Sequence, residues 1–536
     1  MVFDILLLEL IYSNNGDLMY IAYDIKNGIE YAKICTGKRI DGKVKTSQKS
    51  LGRVIDKEKG IYHNRKRGFF SYDVSTDTYA DIDNPDLPPI KRKNSKEKLI
   101  LDFGDAWFID WFIKDIGLSE PLKKLAYGNS DTVKAMVMFY VLSAMANCHA
   151  QEWYDGSYAS ILYPKANLTS QRISDMLEVI GDEESYRAFF ASYFKDFVAQ
   201  KEGGEEILID STGLPNSIHF PLTAISNHNG KIENEVRLIY VTQRGTNLPI
   251  FFRYVPGNVI DVSTLTRTMK ELKAYSIDTK FAILDAGYLT VENTKELYDS
   301  NVSFISRMPD KFSLYSLLVD NHLNELEEES NMLKYNGRYI YIIRKRVLLT
   351  TDHKDRILAD DEKVSSEDGN VAYAYLCRDI NMQYLESSKA FDNADKKNLS
   401  LVELHNIRKR QGLFVLYSSR PIKKDDVLPI YYTRQQIEQV FDVCKNNTKM
   451  LPIRTQTEET FRGHLVLAFI ASVIVKMLQE KVKDTSFNPE SMLLALRNQK
   501  CKVFDDRVIT CEFVRKANQI AKQFNIKPPV EIPLNS

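Results

Sequence analysis

No apolar stretch in this chain is long enough to cross a bilayer. The longest, Ala135 to Ala146 and Leu465 to Val475, fall well short of the roughly 20 residues a membrane helix needs, so no membrane partner is expected. A secretory leader is also missing where it would be sought. Asp4 and Glu9 stand where a signal peptide requires a basic patch and an unbroken apolar run. Cysteine is scarce: the six at positions 35, 148, 377, 444, 501 and 511 lie far apart, with no CxxC or HxxxH pair. Such spacing fits reduced thiols in a cytoplasm and argues against a disulfide framework or structural zinc. Net charge is absent as well, since 72 basic and 72 acidic side chains cancel. A polyanionic partner would therefore need a local basic surface. There is no GxxxxGK loop, so ATP is not expected to take part.

What the chain does have is length and apolar content. Its 536 residues, 44% hydrophobic and 11% aromatic, can build about three to four domains with large cores. Residues 1–95 read as a β-rich domain, with alternating runs such as Leu18 to Tyr23 and turns at Asn15-Gly16 and Asp41-Gly42. From Lys33 to Arg67, 12 Lys/Arg oppose three acids, with Tyr62, Phe69 and Phe70 in or beside the run. This is the composition of a nucleic-acid face. The alternative is a solvated hairpin face balanced by Asp73, Asp77, Asp81, Asp83 and Asp86. Pro85 to Lys98 reads as a linker. Residues 96–203 have helical spacing over Ala106 to Ile116, Asp131 to Cys148 and Ser170 to Ile180, with Ser170 and Ser185 as candidate caps. Such a bundle either binds end DNA or is structural.

Residues 204–309 follow a β-β-β-α-β-α-β order typical of an α/β core. Residues 310–419 read as an inserted, mainly β element with strands Arg338 to Leu349, Val371 to Cys377 and Leu413 to Tyr417. Residues 420–482 return to helix, first from Pro429, suited to a first helical turn, and then along an apolar helix, Glu458 to Lys481, that backs the core. Residues 483–536 read as a helical tail.

Two aspartates carry chemical interest. Asp210 ends the run Ile207-Leu208-Ile209, and Asp285 ends Phe281-Ala282-Ile283-Leu284. One strand-end aspartate is commonly a turn residue, but functional groups of α/β sheets gather at the carboxyl ends of strands. On the helix after Pro429, a turn of 100° per residue puts Tyr431, Arg434, Glu438 and Lys445 within about a 60° arc. Ile437, Val440, Phe441 and Cys444 fill the adjoining arc, which can pack on the sheet. Ordinary i,i+4 pairing accounts for Arg434 with Glu438 but gives Tyr431 and Lys445 no role.

The spacing Y-x2-R-x3-E-x6-K through Tyr431, Arg434, Glu438 and Lys445 resembles the signature of DDE transposases from bacterial and archaeal insertion sequences, in the cut-and-paste subgroup with a β insertion. LIDST around Asp210, LDAGY around Asp285 and PIRTQTEETFRGHLVLAFIA from Pro452 match the same habit. The resemblance covers residues 205 to 480, and the first 200 only in layout. It implies an RNase H-like core interrupted by the insertion, in which Asp210, Asp285 and Glu438 bind two Mg²⁺ ions, with Mn²⁺ able to substitute. Hard ions favour carboxylate oxygens, and a two-ion clamp suits in-line phosphoryl transfer. The phosphodiester at the element end would be hydrolysed, and the freed 3′ hydroxyl would attack another strand. Tyr431, Arg434 and Lys445 would hold end phosphates. The implied partners are double-stranded DNA of the element ends and the target, with a homodimer on paired ends.

Members of this family often use an aromatic of the insertion to steady a flipped base, and Tyr335, Tyr339, Tyr341, Tyr373 and Tyr375 all remain open for that part. Arg307, past the fifth strand, either reaches DNA or is a surface residue. Two rival readings stand beside the main one. A tyrosine recombinase would use His405, Arg408 and Tyr431 or Tyr432 without metal, and a domesticated DNA-binding protein would keep the fold without turnover.

Overall fold

The computed structural model describes residues 11–12, 18–26, 29–40, 43–82, 99–201, 206–216, 220, 222–228, 231–259, 264–349, 355–365, 369–393, 400–442 and 450–534. The Asn15-Gly16 and Asp41-Gly42 turns, the whole of the expected linker, Asp83, Cys444 and Lys445 lie outside the described residues. The chain forms two compact units, Met1–Leu99 with Val503–Val508 and Pro533–Ser536, and Ile100–Lys502 with Ile509–Ile532.

In the first unit, seven strands pair with their chain neighbours in sequence order: β1 (Ile11–Tyr12), β2 (Leu18–Lys26), β3 (Ile29–Ile40), β4 (Lys43–Asp56), β5 (Ile61–Asn64), β6 (Gly68–Asp73) and β7 (Thr78–Asp81). Alternation in an antiparallel sheet sends every second side chain to one face. Here that face collects Ala32, Ile34, Leu51, Tyr62, Phe70 and Tyr72 into a core. Tyr62 and Phe70 are thus core residues, which corrects their expected place beside a nucleic-acid face. Four of the cations are also matched, Lys33 with Asp24, Lys57 with Glu30, Lys59 with Asp56 and Arg67 with Asp81.

The second unit starts at Ile100, within β8 (Leu99–Asp102), and continues with seven α-helices: α1 (Gly104–Asp115), α2 (Ser119–Leu122), α3 (Ser130–Leu142), α4 (Ala150–Gly156), α5 (Ala159–Leu162), α6 (Ser170–Ile180) and α7 (Glu183–Ser192). Neither expected serine caps a helix. Ser170 is already helical after Thr169, and α7 is capped by Asp182, whose side chain accepts from the Glu184 N–H. An aspartate three residues earlier accepts the free first-turn N–H, so Ser185 falls inside.

The sheet that follows has eleven strands. β9 (Glu206–Pro215), β10 (Ala224–His228), β11 (Lys231–Gln243) and β12 (Pro249–Pro256) are joined antiparallel. After α8 (Leu265–Ala274) comes β13 (Phe281–Leu284), parallel to β9. After α9 (Val291–Asp299) comes β14 (Ser303–Met308), parallel to β13. The strand order β12-β11-β9-β13-β14 places the first strand of the core at its centre.

The segment expected as a mainly β insertion extends this same sheet. Its strands β15 (Met332–Tyr335), β16 (Arg338–Leu348), β17 (Arg356–Leu358), β18 (Val371–Asp379) and β19 (Leu413–Ser418) continue it because β19 pairs antiparallel with β14. The free edge of β14 is thereby covered. The segment also carries three helices, α10 (Ser313–Leu326), α11 (Ile380–Asp392) and α12 (Leu401–Lys409).

The helix expected from Pro429 is two helices. α13 (Lys424–Tyr432) holds Pro429 in its interior and stops three residues later, and α14 (Gln435–Asp442) restarts after a turn at Thr433-Arg434. Asp425 and Asp426 occupy the first turn instead, where carboxylates are favoured. Proline there removes one helical N–H, consistent with the early stop.

α15 (Glu458–Val482) is long and apolar enough to cross a bilayer by length and composition, but it is buried along nearly its whole length. Phe469 packs on Phe190, Tyr193, Tyr240 and Phe252. Ser472 bonds Tyr240 of β11 at 2.8 Å, and His464 bonds Tyr140 of α3 at 2.7 Å. This helix joins the helical layer to the sheet, so it is apolar all round. Its approach to α6 requires glycine: a Cβ on Gly463 would sit 2.0 Å from the Leu177 carbonyl oxygen, and one on Gly181 would sit 1.9 Å from that of Glu459. Gly463→Ala is therefore expected to lower the thermal midpoint, at a cost of about 1–3 kcal/mol or more from overpacking. Gly128→Ala, whose Cβ would meet nothing within 4 Å, is the control. Equal midpoints for the two variants would show that the helices yield.

Beyond α15 the tail is mixed. It contains α16 (Pro489–Arg497) and α17 (Arg515–Gln523), but also β20 (Lys500–Val503), β21 (Arg507–Thr510) and β22 (Glu531–Pro533).

Candidate active site

The parallel register of the central strands builds the site. Leu284 of β13 lies opposite Ile209 of β9, so the next residues along the two strands, Asp285 and Asp210, come side by side. Asp285 follows the last residue of β13, as expected. Asp210 does not end its strand, because β9 runs on to Pro215 against β11, with Asp210 opposite Tyr240. The reason is pairing: β9 loses its parallel neighbour at this level but keeps its long antiparallel one. Backbone contacts hold both aspartates. Buried Ser306 of β14 donates its hydroxyl to the Asp285 carbonyl at 3.0 Å, and the Ser211 N–H donates to Asp210 Oδ1 at 2.8 Å.

α14 brings the third carboxylate. Ile437, Val440 and Phe441 are buried, with the Phe441 ring 6.0 Å from that of Tyr240, which seats the apolar arc on the sheet as its spacing implies. Arg434 occupies the turn between α13 and α14, where its N–H bonds the Tyr431 carbonyl at 3.0 Å. Its guanidinium points into the carboxylates. It bonds Asp210 Oδ2 at 2.9 Å and lies 3.4 Å from Asp285 Oδ1 and 3.7 Å from Glu438 Oε1. Exposure of the side chains rises outward, from 11% for Asp210 through 41% for Asp285 to 59% for Glu438. The cluster is anchored in the sheet and open on the helix side. Burial pulls the Arg434 pKa down, but Asp285 and Asp210 more than reverse this and leave it raised.

A cavity of about 270 Å³ opens beside the cluster, lined by Asp285, Glu438, Arg434, Tyr431, Tyr432 and Arg307 among others. Tyr431 is buried, and burial pushes its hydroxyl up to about 12, with Arg434 lowering it and Asp285 raising it. It stays a donor at neutral pH. Lys445 lies outside the described residues, so the fourth member of the stripe has no place in this geometry.

Sequence reasoning left Arg307 undecided and missed its setting. The residue is exposed, its guanidinium lies 5.5 Å from the centre of the Phe414 ring, and it makes no ion pair with a described residue. The aromatic candidates separate as well. Tyr335 stacks on Tyr432 with centroids 5.6 Å apart and an interplanar angle of 16°, whereas Tyr375 is buried and donates to the Ile422 carbonyl. Asn336 and Gly337, both at positive φ, make the two-residue turn that delivers Tyr335. An Asn-Gly pair between strands is the signal that could have marked this hairpin. His405 and Arg408 are exposed on α12 and do not line the cavity of Tyr431, so the recombinase set is not assembled. As placed, no three His, Cys, Asp or Glu side chains among the described residues form a group that could hold a metal ion. The carboxylates meet around the Arg434 guanidinium instead.

Residues 201–474, just over half of the chain, match the family described as Transposase DDE domain. The chain belongs to this transposase family. All six residues of the expected site fall inside the matched span, and family membership implies an RNase H-like core, nuclease and strand-transfer chemistry on DNA, and use of divalent metal ions. No curated protein matches the transposase. Among solved structures, a synaptic complex of the piggyBac transposase with hairpin DNA is similar at 13% identity and a TM-score of 0.38, over 73% of this chain and 75% of that one. A likeness so slight adds nothing to the family assignment.

Proposed function

We propose that this transposase binds the terminal repeats of an insertion sequence, cuts the strand at each end and joins the freed ends to target DNA, using Asp210, Asp285 and Glu438 as its metal-binding carboxylates. The observation that carries this reading is their convergence on one guanidinium. Three carboxylates from two neighbouring strands and one helix surround a single positive charge, which leaves the cluster at net −2 with only oxygen donors. Hard divalent ions take such donors. Two Mg²⁺ ions, with Mn²⁺ able to replace them, would supply Lewis-acid neutralisation of charge on the phosphate when bound there.

The chain's own residues do the rest. Asp210, the most buried, fixes the cluster on the sheet, and Asp285 and Glu438 face the cavity. The protonated Tyr431 hydroxyl lines the cavity and would donate to phosphate oxygens of the end DNA, and we assign Arg434 and Lys445 the same task from the resemblance to the family signature. We propose a homodimer on paired ends.

The test is nicking of the element's own terminal repeats by purified protein. Strand cleavage is expected in Mg²⁺ or Mn²⁺, binding without efficient cleavage in Ca²⁺, and neither nicking nor joining in excess EDTA. Full cleavage in EDTA with a covalent adduct at Tyr431 or Tyr432 would replace this reading by the recombinase. Tight end binding with no cleavage in any ion would make the protein a DNA-binding relic of the fold.

A further inference from the structure

The tail carries a charged feature that the site above does not use. From Arg515 to Pro529 the chain has four cations and no acid, although its overall charge is zero. α17 arranges them by face. Ala517, Ile520 and Ala521 are buried, and Phe524, just past the helix, packs edge-on against Phe108, Trp111 and Phe112 of α1. The helix therefore has a fixed orientation. Its opposite face, with Arg515, Lys516 and Lys522 beside Gln519 and Gln523, forms one wall of a cavity of about 720 Å³. The other wall is the chain entering α16, with the hydroxyls of Ser486 and Ser491 and the ring of Phe487. No carboxylate lines this groove, and Arg515, Lys516 and Lys522 make no ion pair with a described residue.

The groove combines three exposed cations, free of ion pairs with described residues, with amides and hydroxyls that both donate and accept, and no carboxylate opposes them. That is the chemistry that holds a phosphate backbone without reading its bases. The geometry points to a second DNA site in this protein, a backbone-binding groove formed by Arg515, Lys516 and Lys522 of α17 opposite Ser486 and Ser491. The inference rests on the transposase reading for its choice of DNA as the polyanion, but not on the carboxylate chemistry. Two duplexes could supply the backbone, the element end beyond the cut and the target.

The experiment compares the full chain with the triple variant Arg515→Gln, Lys516→Gln, Lys522→Gln, and with a charge-preserving triple, Arg515→Lys, Lys516→Arg, Lys522→Arg. All three positions are exposed, and matched thermal midpoints confirm the fold. Binding is titrated against salt in EDTA, on a duplex carrying one terminal repeat and on a random-sequence duplex. Each lost phosphate contact should shallow the slope of log affinity against log salt by about 0.9, so roughly 2.7 for the triple Gln variant, with no change for the charge-preserving one. A loss confined to the repeat duplex assigns the groove to the element end. A loss shared by both duplexes, or seen only on the random one, assigns it to target or general backbone contact. Unchanged slopes on both probes overturn the site, as does a wild-type chain that binds neither duplex. Because binding is read without metal, a wild-type chain that binds with a steep slope yet never cuts defeats the cleavage reading alone. A triple Gln variant that cuts and binds like wild type defeats the groove alone.

Discussion

Replacing Glu438, Asp285 or Asp210 by its amide is expected to lower strand cleavage on the order of 10³-fold or more while duplex binding persists. The amide keeps the shape and one accepting oxygen, so Arg434 retains a partner, but it removes the negative charge needed to hold a divalent cation. Glu438→Gln is the cleanest of the three. Its side chain is 59% exposed and lies 3.7 Å from Arg434, so a surface pair of this kind contributes little to the fold and the thermal midpoint should not move. Asp210→Asn is the severest, because Asp210 is only 11% exposed and bonds Arg434 at 2.9 Å. An amide N–H₂ turned toward the guanidinium would add a stability loss to the catalytic one. Single-turnover cleavage of an intact repeat duplex, beside thermal unfolding, separates the two effects. Cleavage by purified Glu438→Gln within about tenfold of wild type would remove that residue from the site.

Much of the site was legible because buried parallel strands announce themselves. Ile207-Leu208-Ile209 and Phe281 to Leu284 read as unbroken apolar runs since both faces of the sheet are covered, and each delivers an aspartate. The helix stripe was legible for the same physical reason, since Ile437, Val440 and Phe441 must face the sheet. Other features depend on partners that local spacing does not reveal. Ser211-Thr212-Gly213 looks like the end of a strand, yet pairing with β11 carries β9 on to Pro215. Pro429 suits a first turn, but Asp425 and Asp426 fill that role and leave it inside α13. Tyr62 and Phe70 stood in or beside the basic run, and only the pairing of β5 with β6, which sets them opposite each other, puts them in one core. Spacing likewise put Arg434 beside Glu438, and the family resemblance implied a phosphate contact, whereas the fold turns its guanidinium inward to three carboxylates.

That inward turn gives Arg434 an expected dependence on metal which a simple phosphate clamp would lack. Without a divalent ion, its guanidinium is held by Asp210, Asp285 and Glu438, so it contributes little to DNA binding. With Ca²⁺ bound at the carboxylates, the guanidinium would be free to turn toward the DNA backbone. In Ca²⁺, Arg434→Ala should therefore shallow the salt dependence of end binding by about 0.9, whereas in EDTA the slope should match wild type. The same substitution removes the competing cation and should tighten Ca²⁺ or Mn²⁺ binding by about tenfold, seen as a larger rise in thermal midpoint per increment of ion. In the absence of ions the variant should melt lower, because Asp210, only 11% exposed, loses its 2.9 Å ion pair with Arg434. Arg434→Lys keeps the charge but not the planar fork that reaches several carboxylates at once, and should fall between the two. The measurement is a pair of salt titrations, in Ca²⁺ and in EDTA, with ion-dependent thermal shifts for the three proteins. An unchanged slope in both conditions would end the phosphate assignment, and a drop of equal size in both would show that the carboxylates do not hold the guanidinium in solution.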